Sequence, residues 1–157
     1  MIFIFFISML FFHWFFSYGV NILSIGPDII FIYVFWANYY FSPCLSITFS
    51  FFCGIYADFY YTLPFGTHAL AFSLMSFVIN SVRKNIEIDS FLPRIVNFTI
   101  SNYSIVFFLI FLNFIMTQSF GFDFRLMVQP ILNIIFFELF NKLFLFVFKR
   151  RRDYVRI

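Results

Sequence analysis

Charge is scarce in this sequence. Asp, Glu, Lys and Arg make up 11% of its 157 residues, where a water-soluble domain carries about a quarter. A chain so poor in charge cannot cover an aqueous surface, which excludes a soluble enzyme or a solvated binding module. Cysteine is almost absent as well. Cys44 and Cys53 lie nine apart along one stretch, too far for a bridge, so no disulfide framework holds the chain. No Ser or Cys sits in an activating motif, no internal repeat is visible, and no stretch reads as a soluble domain. The start Met1-Ile-Phe-Ile-Phe-Phe has no basic leader and no small-residue cleavage site follows. It reads as a first span rather than a removed signal peptide.

What the sequence has instead is hydrocarbon. Hydrophobic residues make up 63% of it and the mean hydropathy is +0.96, which makes the chain an integral membrane protein. In lipid every backbone polar group must be satisfied internally, so only helices or a closed barrel remain. The apolar runs are continuous rather than alternating, which selects helices. Phe accounts for 32 residues on all helical faces. Filling of lipid-facing positions explains that spread better than an aromatic-lined cavity does.

Six spans are expected. The first covers about Ile2–Tyr18 and is broken by Asn21, Ser24, Gly26 and Pro27. A short second runs from about Asp28 to Tyr40, with Asp28 placed to meet the positive end of its helix dipole. Trp36, Tyr39 and Tyr40 suit an interfacial aromatic belt. The third covers Cys44–Tyr60 and the fourth Thr67–Val82, joined by Tyr61–Gly66. Arg83, Lys84, Glu87, Asp89 and Arg94 form a charged connection expected outside the hydrocarbon. The fifth covers Ile95–Gln118, the sixth Met127–Phe148, and Lys149, Arg150, Arg151, Arg152 and Arg156 close the chain. Residues 1–148 thus read as one transmembrane helical domain and 149–157 as a basic cytoplasmic tail. The positive-inside rule places that tail and the Arg83–Arg94 connection in the cytoplasm, so both termini are inside. The turns holding Asp28 and Asp58–His68 fall on the outer face. The tail most simply binds anionic headgroups; a cytoplasmic protein is a weaker reading and nucleic acid weaker still.

Three polar features stand out. Ser46, Ser50, Gly54 and Asp58 recur every four residues on the third helix, with Ala57 beside them. Ala69, Ser73, Ser76 and Asn80 make a similar stripe on the fourth. Close approach over small side chains holds helices together in lipid, so these stripes are expected to pack antiparallel, with Gly54 near the Ser73 level. The connection adds Asp58, Pro64, Gly66 and His68 within a few turns. Asp58 and His68 either cap helix ends and bond each other, or form a partner contact or proton-handling pair; two separated residues make no metal site. On the sixth helix Glu138 and Lys142, at i and i+4 in the favourable order, suggest an intramembrane ion pair.

In this order and spacing the residues resemble the bacterial rod shape-determining MreD family. The resemblance rests on Pro27-Asp28 opening the second span, on Tyr33 and Trp36 after it, and on Gly54…Asp58 ending the third. It rests also on Leu63-Pro64-Phe65-Gly66-Thr67-His68-Ala69-Leu70 opening the fourth, and it covers about residues 26–82. It implies a non-enzymatic, cofactor-free scaffold of the elongation machinery in the bacterial inner membrane. Such a scaffold pairs with the single-span MreC and, through it, links MreB to RodA and a penicillin-binding transpeptidase. The fold it implies is similar to that of the substrate-binding subunits of energy-coupling-factor vitamin transporters. The alternative function is therefore a small-molecule-binding transport subunit. Against it, Ile2–Tyr18 holds no alanine, whereas those subunits resemble one another in an Ala-rich seam on the first helix.

Overall fold

Glycine, proline and small polar residues divide the apolar chain into helices. The computed structural model describes residues 2–19, 26–61, 63–83, 91–117 and 125–152, with side chains over 2–17, 26–61, 63–83, 91–116 and 128–142. Among these residues the elements are α1 (Ile2–Gly19), α2 (Ile29–Tyr40), α3 (Pro43–Tyr60), α4 (Thr67–Arg83), α5 (Phe91–Thr117) and α6 (Arg125–Arg152).

Local chemistry explains most of these limits. Pro43 is the first residue of α3, where its missing N–H would have had no partner anyway. α5 starts at Phe91 rather than Ile95, because Pro93 falls in the first turn, where proline is tolerated. α6 carries Pro130 inside it and runs through Arg152, so the first part of the basic segment is helical. The expected breaks at Asn21 and Ser24, the links holding Lys84, Glu87, Asp89, Gly121 and Asp123, and the last residues of the tail lie outside the described residues.

α2 is the interior of the molecule. Residues Ile29 to Ala37 are each at most 1% exposed, and α1, α3, α4 and α6 all pack on it. Phe98 of α5 closes the remaining side, with ring centroids 5.5 Å from Phe31 and 4.9 Å from Phe35. A helix that is apolar all round belongs inside a bundle. Its 12 residues rise only about 18 Å, short of the ~30 Å hydrocarbon thickness. For Trp36 this corrects the expected place in an aromatic belt. Trp36 does not reach an interface but stacks inside the bundle on Phe137 and Tyr40, at 5.3 Å and 5.4 Å. Trp36 lies a turn inside the helix end, whereas Tyr39 and Tyr40 are half-buried at that end.

The outside is as apolar as the inside. Phe3, Ile7 and Trp14 of α1, Phe52 and Phe59 of α3, and Val96, Ile100 and Phe107 of α5 all face outward. By length and composition the Phe91–Met116 stretch is long and apolar enough to cross a membrane, whereas Ile2–Ser17 and Ile29–Tyr40 are apolar but shorter. The most extensive helix pair is α3 with α4, and it carries the polar corner.

Candidate functional site

A helix start leaves backbone N–H groups without partners, and α4 solves this with a residue from another helix. Asp58, in the last turn of α3, accepts from Gly66 N at 2.9 Å, His68 N at 2.8 Å and Ala69 N at 3.2 Å. His68 Nδ1 lies 2.9 Å from the same carboxylate and the Thr67 hydroxyl 3.4 Å from it. A carboxylate at a helix N-terminus also meets the positive end of its dipole. Tyr61 stacks on the imidazole at 4.9 Å, and Phe72 meets it edge-on at 5.9 Å. Asp58 and His68 are 6% and 4% exposed. Both oxygens of Asp58 are consumed in fastening α4 to α3.

Two glycines complete the corner for different reasons. Gly66 has φ +96° with open space where a Cβ would stand, so its constraint is the left-handed backbone alone. Gly54 is helical, yet a Cβ there would run into the Ala69 Cα and stand 2.6 Å from both Ala69 N and His68 O. Backbone thus lies on backbone, and the residue opposite Gly54 is Ala69, a turn earlier than the Ser73 level expected from the sequence. Ser46, Ser50, Ala57, Ala69 and Ser76 are buried. Ser73 is half-buried and returns its hydroxyl to Ala69 O at 2.7 Å. Pro27 and Pro64 are half-buried in the connections.

The ends of α2 are half-buried, and each is closed by polar groups from distant segments. At its start Asp28 caps Phe31 N at 3.1 Å, while Asp28 N donates to Asn133 Oδ1 of α6 at 2.6 Å. Asn133 donates in turn to Asn102 Oδ1 at 3.2 Å, and Asn102 donates to Pro130 O at 3.2 Å. Asp28 also lies within electrostatic reach of His68 and Tyr61, so the turn before α2 and the turn before α4 lie near one another. At the other end Arg83 donates to Asn38 O at 2.6 Å, a cation at a helix C-terminus. The Asn38 side chain donates to Val34 O at 2.8 Å and accepts from Ser76 and Asn80. Asn80 reaches on to Ser46 Oγ at 2.9 Å.

The sixth helix departs from expectation. Lys142 is exposed, and among the described residues the ion pair is His68–Asp58; Glu138 and Lys142 do not close to one. The long lysine turns outward, and Glu138 Oε1 is buried without a hydrogen-bond partner. The cation that enters the bundle here is Arg94 of α5, 8% exposed. With the Asn141 amide oxygen facing it, its guanidinium donates at 2.8 and 3.3 Å. Arg94 therefore lies inside the helical bundle, not in the solvated connection to which its position among charges assigned it.

Asn38, Asn102, Asn133 and Arg94 carry this network and were not singled out by motif. Neither was the contact of His13 Nδ1 with the Tyr56 hydroxyl at 3.1 Å. Their signal was present: a lone amide or imidazole within an apolar run is costly in lipid unless another helix satisfies it. Among the described residues no group of three or more His, Cys, Asp or Glu gathers to hold a metal.

Set beside known proteins, the chain matches one family model, described as rod shape-determining protein MreD, over residues 1–147. No curated protein and no solved structure matches it.

Proposed function

Because the chain belongs to the MreD family, non-enzymatic membrane proteins that determine rod shape within the elongation machinery, we propose that it is a scaffold coupling an MreC-type single-span protein and MreB to side-wall peptidoglycan synthesis. RodA and its penicillin-binding transpeptidase partner are reached indirectly. Both termini lie in the cytoplasm in this reading, and the Asp28 and Asp58–His68 turns lie on the outer face. The Lys149–Arg152 segment meets anionic headgroups.

The saturation of Asp58 supports a scaffold most directly. A ligand-binding carboxylate must keep an oxygen for its ligand, whereas this one is occupied by α4. That counts equally against the alternative, a vitamin-type transport subunit with Asp28, Asp58 and His68 lining a cavity. Docking falls instead to the outward side of the corner, where Phe59 and Phe65 are 77% and 65% exposed with rings 5.2 Å apart.

Depletion in the native cell tests this. Rods should become round, and an MreC-type protein should co-purify with the tagged chain. Unchanged shape with loss of uptake of one nutrient would overturn the scaffold in favour of transport. At the corner, Phe59→Ala with Phe65→Ala should keep the protein level and lose co-purification.

A further inference from the structure

The outward apolar faces of the helices differ in height. α3 is bounded on both sides by extended backbone, at Ser42 and at Tyr61, so its 18 residues rise about 27 Å at most. Its outward apolar side chains run from Leu45 to Phe59, about 21 Å along the axis. Those of its hairpin partner α4 run from Leu70 to Val78, about 12 Å, with Phe65 of the preceding turn level with Phe59. The exposed Ser81 and Arg83 follow. On α5 the band runs from Leu92 to Met116, about 36 Å. A hydrocarbon core is about 30 Å thick. Tilt brings α5 to that figure, whereas tilt only lowers the projected height of α3 and α4. The α3–α4 flank therefore falls short of the core at any orientation. Its ends are fixed as well. Asp58 fastens the outer turn to the start of α4, Arg83 is turned back onto Asn38 O, and α3 holds no lysine or arginine.

We propose that the α3–α4 flank selects phospholipid with short acyl chains and thins the bilayer on that side of the molecule, while lipid of ordinary length covers α5. A span shorter than its bilayer is accommodated by thinning, by snorkelling of flanking residues or by association with other helices. The fixed ends and the lack of long cations remove snorkelling. Association of helices in lipid needs small side chains that let backbones approach, and here Ser46, Ser50, Gly54 and Ala57 are spent on the α3–α4 seam. What faces outward is bulky, with Phe51, Phe52 and Phe77 prominent. Thinning remains. Mismatch of this kind sorts proteins among membrane regions of different thickness, so the flank draws the chain to thin regions of the bilayer. The inference requires only that the chain lies in a membrane and is independent of the scaffold reading.

The test uses the full chain carrying Trp14→Phe, reconstituted in brominated dioleoyl phosphatidylcholine, which quenches tryptophan fluorescence on contact. Trp36 is buried and stays out of reach of the quencher. Phe52→Trp reports the α3 face and Phe107→Trp the α5 face, both at exposed positions. Unbrominated dimyristoleoyl, dioleoyl or dierucoyl phosphatidylcholine then competes for each site. The short dimyristoleoyl lipid should relieve quenching several-fold more effectively at Phe52→Trp than at Phe107→Trp, where the longer chains should compete better. A second arm lengthens the flank. Ser42 makes no side-chain cap bond and the Ser81 hydroxyl returns only to Phe77 O, so Ser42→Leu with Ser81→Leu adds apolar height while leaving the fold intact. It should move the preference at Phe52→Trp towards dioleoyl and leave Phe107→Trp unchanged. The same order of preference at both faces, or a preference that the added leucines do not move, would overturn the proposal. So would a Phe52→Trp that no lipid quenches, since another protein copy would then cover the flank.

Discussion

Asp58 accepts three backbone N–H groups that no other side chain among the described residues reaches. Removing it strands those donors away from water, at about 1–3 kcal/mol for each unsatisfied group. Asp58→Ala should therefore sharply reduce membrane abundance and lower the melting temperature in detergent. Asp58→Asn should fall between that variant and the wild type, since one of its two polar atoms becomes a donor facing donors. His68→Ala removes a single charge-assisted bond and should be milder, because Asp58 keeps the α4 backbone. Normal abundance of Asp58→Ala would contradict the fastening role outright. The glycines separate in the same assay. Gly54→Ala forces two helix backbones apart and should be the more damaging. Gly66→Ala meets only a left-handed backbone, about 1–2 kcal/mol, and Gly66→Asn should recover most of that loss.

At the scale of elements, α2 is distinctive: a short helix with no outward face, closed at both ends by side chains from elsewhere. Its amides should be among the slowest in the molecule to exchange hydrogen, slower than those of α1 or of the second half of α5, where exposed positions are frequent. Asn38→Ala should cost on the order of 1–2 kcal/mol, since interhelical hydrogen bonds in membranes average about 0.6 kcal/mol and two are lost. Asn102→Ala and Asn133→Ala should be non-additive in a double-mutant cycle, because Asn133 donates to Asn102. The position of α2 was not legible in the sequence, for a physical reason. In water a core helix stands out against polar neighbours, whereas in lipid Ile29–Ala37 and the outward Phe3–Trp14 face read alike. The limits of α2, α3 and α4 were legible because Gly26, Pro27, Pro43, Pro64 and Gly66 stand between them or at their first turn, whereas Pro93 and Pro130 fall inside α5 and α6 and mark no limit. The corner was legible as a set of residues, and of its two readings the structure has the one in which Asp58 caps a helix end and bonds His68. Which backbone groups the carboxylate takes, Gly66, His68 and Ala69 N–H together, is not encoded by spacing. Arg94 misled because a charge beside other charges reads as solvated.

For the whole molecule, paired cysteines at Ser46 and Asn80 in a chain freed of Cys44 and Cys53 should cross-link readily and so report the α3–α4 register. Failure to cross-link, with the chain folded, would refute that register. The arrangement has a further consequence in time. The backbone of Asp28 is satisfied by Asn133, which lies 105 residues later. At about 5–20 residues per second of synthesis, the opening turn of α2 waits roughly 5–20 seconds for the helix that completes it. During that interval a segment too short to cross the bilayer has neither a lipid-spanning position nor its final neighbours. The newborn chain is therefore an unfinished client of the insertion machinery until its last helix arrives. A chain truncated before α6 should be cleared by membrane proteases rather than persist as a shortened scaffold.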